Sequence, residues 1–307
     1  MLKEETVIVK GRRVRFKAVE ACGQTFIISG KLLKTATLKD DWLQDLSRPE
    51  EVARVLQSAP VRIDMLKFWQ RLPETQARYS YYKEWQPIAA IPVTTFDHWW
   101  KTQINDKTRN MVRKAHKMGV TIEQAQFDDD LARGIVSIFN ESPVRRGKPF
   151  WHYGKDFAAV KRDLSDDLDK SVFIAARFQQ ELIGYIKLLM ADRYAMVTMI
   201  LDKKAHRDKS PSNGLIAKAV EICAKRDTPF ITFTTWQRGD YGRFQKHNGF
   251  QPFPVPEYYV PLTMMGRLAL CLRLHQGPKA WLPQSLILRL LALRARWYAF
   301  RLRQRAA

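Results

Sequence analysis

The stretch RFQKHNGF, Arg243 to Phe250, follows an apolar run, FITFTTW (230–236), and leads into another extended run, QPFPVPEYYVPLT (251–263). A short amphipathic segment closed by Asn-Gly between two β-like runs predicts a strand–helix–strand unit near the end of a domain. Phe244 and Phe250 then serve as buried anchors, and Gly249 ends the helix.

Working upstream, NGLIAKAVEICAKR predicts a helix opening at Asn213, preceded by a polar loop, KKAHRDKSPS, and a strand, AMVTMILD. SVFIAARF and ELIGYIKLLMA predict a hairpin turning at Gln179-Gln180. A helix is expected over Phe157 to Leu168. Another, DDDLARGIVSIFNES, carries acids in its first turn. VTIEQAQF reads as a strand. A long helix is expected from Phe96 to about Met118, capped by Thr94 or Thr95 and ended by Gly119. Its polar face is basic: Lys107, Arg109, Arg113, Lys114 and Lys117. Residues 6–39 alternate as strands with turns at Gly11, Gly23 and Gly30. RPEEVARVLQS predicts a helix with Pro49 in its first turn, and VRIDMLKFW and PIAAIPV predict strands. Strands interleaved with helices give an α/β fold with a mixed sheet. The expected divisions are 1–94, 95–263 and a basic helical tail, 264–307.

The 307 residues carry 52 Lys and Arg against 31 Asp and Glu, a net charge of +21. That excess points to an anionic partner. Residues 264–307 hold nine Lys or Arg and no acid, which leaves +12 on the first 263. From Pro283, Leu286, Leu290, Leu293, Trp297 and Phe300 form one helical stripe bordered by arginines. This suits a helix lying on an anionic membrane surface, with a dimer or internal packing as the alternative. Cys22, Cys223 and Cys271 are too scattered for a disulfide framework or a zinc site, so no metal is expected. The first residues lack the apolar core of a signal peptide, and no apolar run reaches the ~18 residues that span a bilayer. A cytoplasmic protein, peripheral on the membrane's inner face, is expected.

The element order and three stretches resemble the GNAT-type acyl-CoA N-acyltransferase fold, within it the FemAB-related branch. These are RNMVRKAHKMGVTIE, SNGLIAKAVEICAKR and RFQKHNGFQP, and the resemblance covers about 95–263. It implies a transferase built on a splayed strand pair, with residues 1–94 as a reduced first copy of the same unit. It also implies an acyl-CoA co-substrate whose pyrophosphate lies at a helix start. Ser212, Asn213 and Gly214 would open that helix, Ser212 as its cap, with Arg207 and Lys209 supplying charge. The departures are specific. The loop Arg207–Gly214 lacks the early glycines of the family pattern, and Gln245 stands where relatives place a tyrosine or lysine. Lys246, beside it, is a substrate-contact candidate, although a helix turns it to another side.

Acyl transfer to an amine needs a base, and NESPVRRGKPFWHY (140–153) is crowded with suitable types. Glu141 and His152 could take a proton, and Tyr153 could give one. Arg145 and Arg146 could hold an anionic substrate group. Tyr241 could line an acceptor pocket, as could Tyr258 if one of Tyr258 and Tyr259 faces a cleft. The expected activity is N-acylation by acyl-CoA of an amino group on a cell-envelope or polysaccharide precursor. The alternatives are a FemAB-type aminoacyl-tRNA-dependent ligase and a non-catalytic GNAT-fold binding protein.

Overall fold

The computed structural model describes residues 2–41, 43–145 and 148–277. The tail helix expected from residue 283 and Arg146 lie outside the described residues. In chain order the elements are β1 (Leu2–Val9), β2 (Arg12–Ala21), β3 (Gln24–Ser29), β4 (Thr35–Leu38), α1 (Pro49–Gln57), β5 (Met65–Trp69) and β6 (Tyr82–Pro92). There follow α2 (Phe96–His98), α3 (Asp106–Lys117), β7 (Thr121–Ala125), α4 (Asp129–Asn140), β8 (Val144–Arg145), β9 (Lys148–Pro149) and α5 (Phe157–Leu164). The chain continues with β10 (Ser171–Phe178), β11 (Glu181–Met190), β12 (Ala195–Asp202), α6 (Pro211–Lys225), β13 (Phe230–Thr235), α7 (Gly239–His247), β14 (Gln251–Pro261) and α8 (Met264–Cys271). The fold is α/β with a mixed sheet, as the sequence pattern requires.

The chain forms two compact units. Among the described residues, the first comprises those within 2–85, 144–151 and 256–277; the second comprises 86–143 and 152–255. In the first unit, β1 to β4 form an antiparallel meander, β4 pairs parallel with β5, and β5 pairs antiparallel with the Glu257–Pro261 part of β14. Helix α1 makes the crossover that a parallel pair needs. Its apolar side, Val52 and Leu56, is buried in a core with Phe26, Leu66, Phe68 and Tyr258. In the second unit, β7, β10, β11 and β12 are antiparallel neighbours, β12 pairs parallel with β13, and β13 pairs antiparallel with β6. Helix α6 is the crossover here, and buries Leu215, Ile216, Ala219, Val220 and Cys223. Each unit thus repeats one scheme: an antiparallel run, a helix, and a parallel partner.

Three element boundaries depart from expectation. The long helix of 96–118 is broken. Thr95 caps α2, a wide turn covers Trp99–Gln103, and Asn105 accepts from the Thr108 N–H to start α3 anew. An extended residue, Ile104 at φ −116°, separates the two pieces. The helix of 157–168 ends at Leu164. Helix α6 starts at Pro211, two residues before the expected Asn213, and its Ncap, Ser210, makes no side-chain cap bond.

The opening stretch becomes α7 and its exit. Asn248 is fully buried. Its side chain donates to the Phe244 carbonyl at 2.8 Å and accepts from Asn213 of α6 at 3.0 Å. Its own carbonyl accepts from Trp99 Nε1 at 3.1 Å, and the Thr108 hydroxyl of α3 donates to the His247 carbonyl at 2.9 Å. The next residue, Gly249, sits at φ +87°, and a Cβ there would lie 2.8 Å from Trp99 Nε1. Gly249→Ala should combine a left-handed backbone penalty of roughly 1–2 kcal/mol with overpacking of about 1–3 kcal/mol. Urea denaturation should show a loss near the sum. Lys246→Ala, on the exposed side of the same helix, should change stability by less than about 0.5 kcal/mol.

Candidate functional site

The parallel pair at the centre of the second unit opens. Among the described residues the β12–β13 ladder has two pairs, Ala195 with Ile231 and Met196 with Thr232. Beyond them each strand departs from regular pairing. On β12 the register against β11 slips, so that Leu188 faces Val197 and Lys187 faces Met199, leaving Thr198 as a bulge. Thr198 is exposed, and its hydroxyl donates to the Lys187 carbonyl at 3.0 Å. On β13, Thr234 takes φ +53°, a conformation that β-branched residues rarely hold, and the register against β6 shifts there. Bulges bend strands and commonly re-aim groups at active sites. The result is an opening between β12 and β13 past their two paired residues, where main-chain groups are released from the ladder.

Gln245 holds the β13 side of this opening. It is fully buried. Its amide donates to the Phe233 and Thr235 carbonyls at 3.2 and 3.3 Å, and its oxygen accepts from the Gln237 N–H at 3.0 Å. Gln245 is therefore a structural pin. Lys246 is exposed, and Tyr241 is half-buried with its ring 5.3 Å from that of Phe233.

The start of α6 is already served by a carboxylate. Asp202, the last residue of β12, accepts from the Ser212 hydroxyl at 2.7 Å and from Arg207 Nε at 3.1 Å. Ser212 is thus a ligand of Asp202, one residue past Pro211, and not the helix cap. Asn213 is spent on Asn248. Gly214 is buried because a Cβ would lie 2.1 Å from Ile122 Cδ1, so its glycine serves packing against β7. Lys209 sits 4.7 Å above the Phe178 ring. A favourable place for an anion near a helix start exists, and the protein's own aspartate fills it.

The loop of 140–153 does not act as one cluster. Glu141 accepts from the Ala205 N–H at 3.1 Å, while Ser142 and Ser137 accept from Lys204 and Lys203 at 2.6 and 2.7 Å. These contacts fasten the turn after β12 to the end of α4. His152 lies 4.7 Å from the Phe139 ring, and burial lowers its pKa from 6.5 to about 4, so the imidazole is neutral at ordinary pH. Tyr153 is exposed. Arg145 belongs to the first unit, where its guanidinium stacks 4.9 Å from the Phe150 ring. Tyr258 and Tyr259 correct the expectation that one of them faces a cleft. Both are buried: Tyr258 OH donates to Gln70 at 2.9 Å and accepts from the Arg78 N–H at 2.8 Å, and Tyr259 OH donates to Glu257 at 2.8 Å.

Several residues escaped the sequence reading. Thr198 and Thr234 shape the cleft, but a bulge leaves no compositional mark. Asp202 could have been found, as the single acid at the end of a strand facing a basic turn. Lys187 is buried on β11, donates to the Leu164 and Asp166 carbonyls at 3.1 and 2.9 Å, and has its pKa lowered by burial. In the first unit, Lys67 pairs with the buried Glu257 at 2.6 Å, and burial raises the Asp41 carboxyl to about 6.

No family model and no curated protein matches the chain. Solved structures do. One is the C-terminal domain of a protein described as a lysylphosphatidylglycerol synthetase from Agrobacterium fabrum, at 12% identity and TM-score 0.55 over 83% of this chain and 86% of that one. Another is L-PGS from Bacillus licheniformis, at 13% identity and TM-score 0.55 over 84% and 88%. A third is FemX, at 11% identity and TM-score 0.54 over 84% and 88%. Over most of its length the chain therefore shares its fold, of the GNAT type, with these proteins.

Proposed function

We propose that the chain is an aminoacyl-tRNA-dependent transferase of the FemAB type, acting on an amine acceptor of the cell envelope at a lipid surface. The observation that carries this reading over acyl-CoA transfer is the Asp202 carboxylate beside the first turn of α6. A pyrophosphate brought to the same turn would meet that charge and displace two of its hydrogen bonds. The likeness to FemX, to L-PGS and to a protein described as a lysylphosphatidylglycerol synthetase supports the same choice.

In the reaction, the acceptor nitrogen attacks the aminoacyl ester carbonyl, the C–N bond forms and the C–O bond to the ribose breaks. The nitrogen loses a proton and the ribose oxygen gains one. Main-chain groups exposed by the β12 bulge would stabilise the carbonyl oxygen as charge develops. A neutral His152 is the group able to accept the proton, provided acceptor binding brings the nitrogen to it. The lipid surface is supported by α8, on which Met264, Leu268 and the following Leu272 are 75%, 50% and 46% exposed, in a stretch without acids. The basic stripe of 283–307 would extend that contact.

Thermal-shift measurements separate the donors. A charged tRNA should stabilise the protein by binding linkage, with the shift shrinking as salt rises, and acetyl-CoA should leave the melting temperature unchanged. Stabilisation by acetyl-CoA alone would reverse the assignment. For the lipid contact, the full chain should cosediment with phosphatidylglycerol vesicles, and deletion of 283–307 should abolish this; equal sedimentation of both would remove the tail from the picture.

His152 gives a pH signature. Because its folded pKa is depressed from 6.5 to about 4, the unfolded chain takes up a proton in that window that the folded chain refuses. Stability should therefore fall as pH drops from 6.5 towards 4. In urea titrations at pH 7, 5.5 and 4.5, His152→Phe should flatten this slope. A slope unchanged by the substitution would mean that the imidazole is not desolvated.

A further inference from the structure

A groove of about 240 Å³ lies between the α2–α3 region and α6 in the second unit. Its floor is apolar and low: Val112, Ile122, Gly214 and Ala217. One wall is aromatic. Phe96 and Trp100 stack with centroids 5.9 Å apart and planes at 21°, and the Arg113 guanidinium lies 5.5 Å from the Trp100 ring. The rim carries Arg113, His116, Lys218 and Glu221.

The charge around the groove is not balanced. Asp106, the acid of α3, is held by Arg109 at 2.7 Å, and Glu221 of α6 is held by Lys218 and Lys225 at 2.9 and 2.6 Å. Lys107, Arg113, Lys114 and Lys117 of α3 close no salt bridge among the described residues. An ordinary solvated helix face would share its charges with acids three or four residues away; apart from Arg109 with Asp106, the cations of α3 close no such pair among the described residues. An aromatic plane beside unneutralised cations matches one polymer, a single-stranded nucleic acid, whose bases stack and whose phosphates need charge. A lipid tail would gain from the apolar floor but has no use for the stacked wall.

We propose that this groove binds the unpaired end of an RNA, with one base laid on Trp100 and the flanking phosphates on Arg113 and the unpaired lysines of α3. The proposal rests on the aminoacyl-tRNA reading for its biological source, but not for its binding chemistry. The probe is a fluorescein-labelled single-stranded RNA hexamer, titrated by anisotropy into the full chain at 50 and 200 mM salt. Trp100→Leu should weaken binding by roughly tenfold, since stacking of one base on one aromatic ring is lost. Arg113→Glu, on an exposed side chain that leaves the fold intact, should weaken it at low salt and flatten the salt dependence. A blunt RNA duplex of equal length should compete poorly.

Equal hexamer affinity in the wild type and both variants overturns the proposal. So does sedimentation with phosphatidylglycerol vesicles that Trp100→Leu abolishes while hexamer binding persists, which would make the groove a lipid site. The two readings fail separately. Aminoacyl transfer that survives both substitutions sinks the groove and spares the donor assignment. Hexamer binding that both substitutions weaken, in a wild type that transfers no aminoacyl group, spares the groove and sinks the donor assignment.

Discussion

Two buried amides set the geometry on which the second unit depends. Asn248 ties α7 to α6 through Asn213 and receives the indole of Trp99, and Gln245 holds three main-chain groups around the exit of β13. A buried amide left unpaired costs about 1–3 kcal/mol, so each of these bonds is demanded by burial as well as favoured by geometry. Gln245 ties the end of β13 to the turn after it, and Thr198 breaks the register of β12, so the two strands share a ladder of two pairs among the described residues.

This gives Gln245 a structural task in the segment that closes the strand–helix–strand unit. In Gln245 the position keeps the side-chain length and the hydrogen-bonding capacity needed to hold the loop, and gives up any proton chemistry. An ionised lysine at a fully buried site with carbonyl and N–H neighbours would have one group it could not satisfy.

The sequence was most legible where apolar period and turn chemistry agreed. The hairpin at Gln179-Gln180, the turns at Gly11 and Gly23, and the packing role of Phe250 follow from local rules, because side-chain period and positive-φ turns are local physics. The break at Ile104-Asn105 was readable in principle. Asn followed by Asp and, at the fourth residue, Arg is a helix start, but the basic periodicity running through it masked the interruption. The cleft was beyond reach. Whether Thr198 bulges depends on pairing with Lys187, and whether Ser212 caps a helix or serves Asp202 depends on contacts ten residues apart. Tyr258 failed for a related reason: strand alternation predicts opposite faces, yet both faces of β14 at this point are covered.

The repeated scheme of the two units adds a constraint on any phosphate-bearing donor. In the first unit the crossover helix α1 opens with Glu50 and Glu51 in its first turn, so its N–H groups already face negative charge. In the second, α6 has no acid of its own in that turn, but Asp202 stands there through Ser212. Both crossover helices therefore have a carboxylate close to their first turn, which weakens the attraction of that end for a further anion. An anion near α3 would meet Lys107, Arg113, Lys114 and Lys117, which close no salt bridge among the described residues. The excess charge of the chain and the carboxylates beside both helix starts are the physical grounds for proposing a long polyanion held on a surface over a small cofactor held at a helix end.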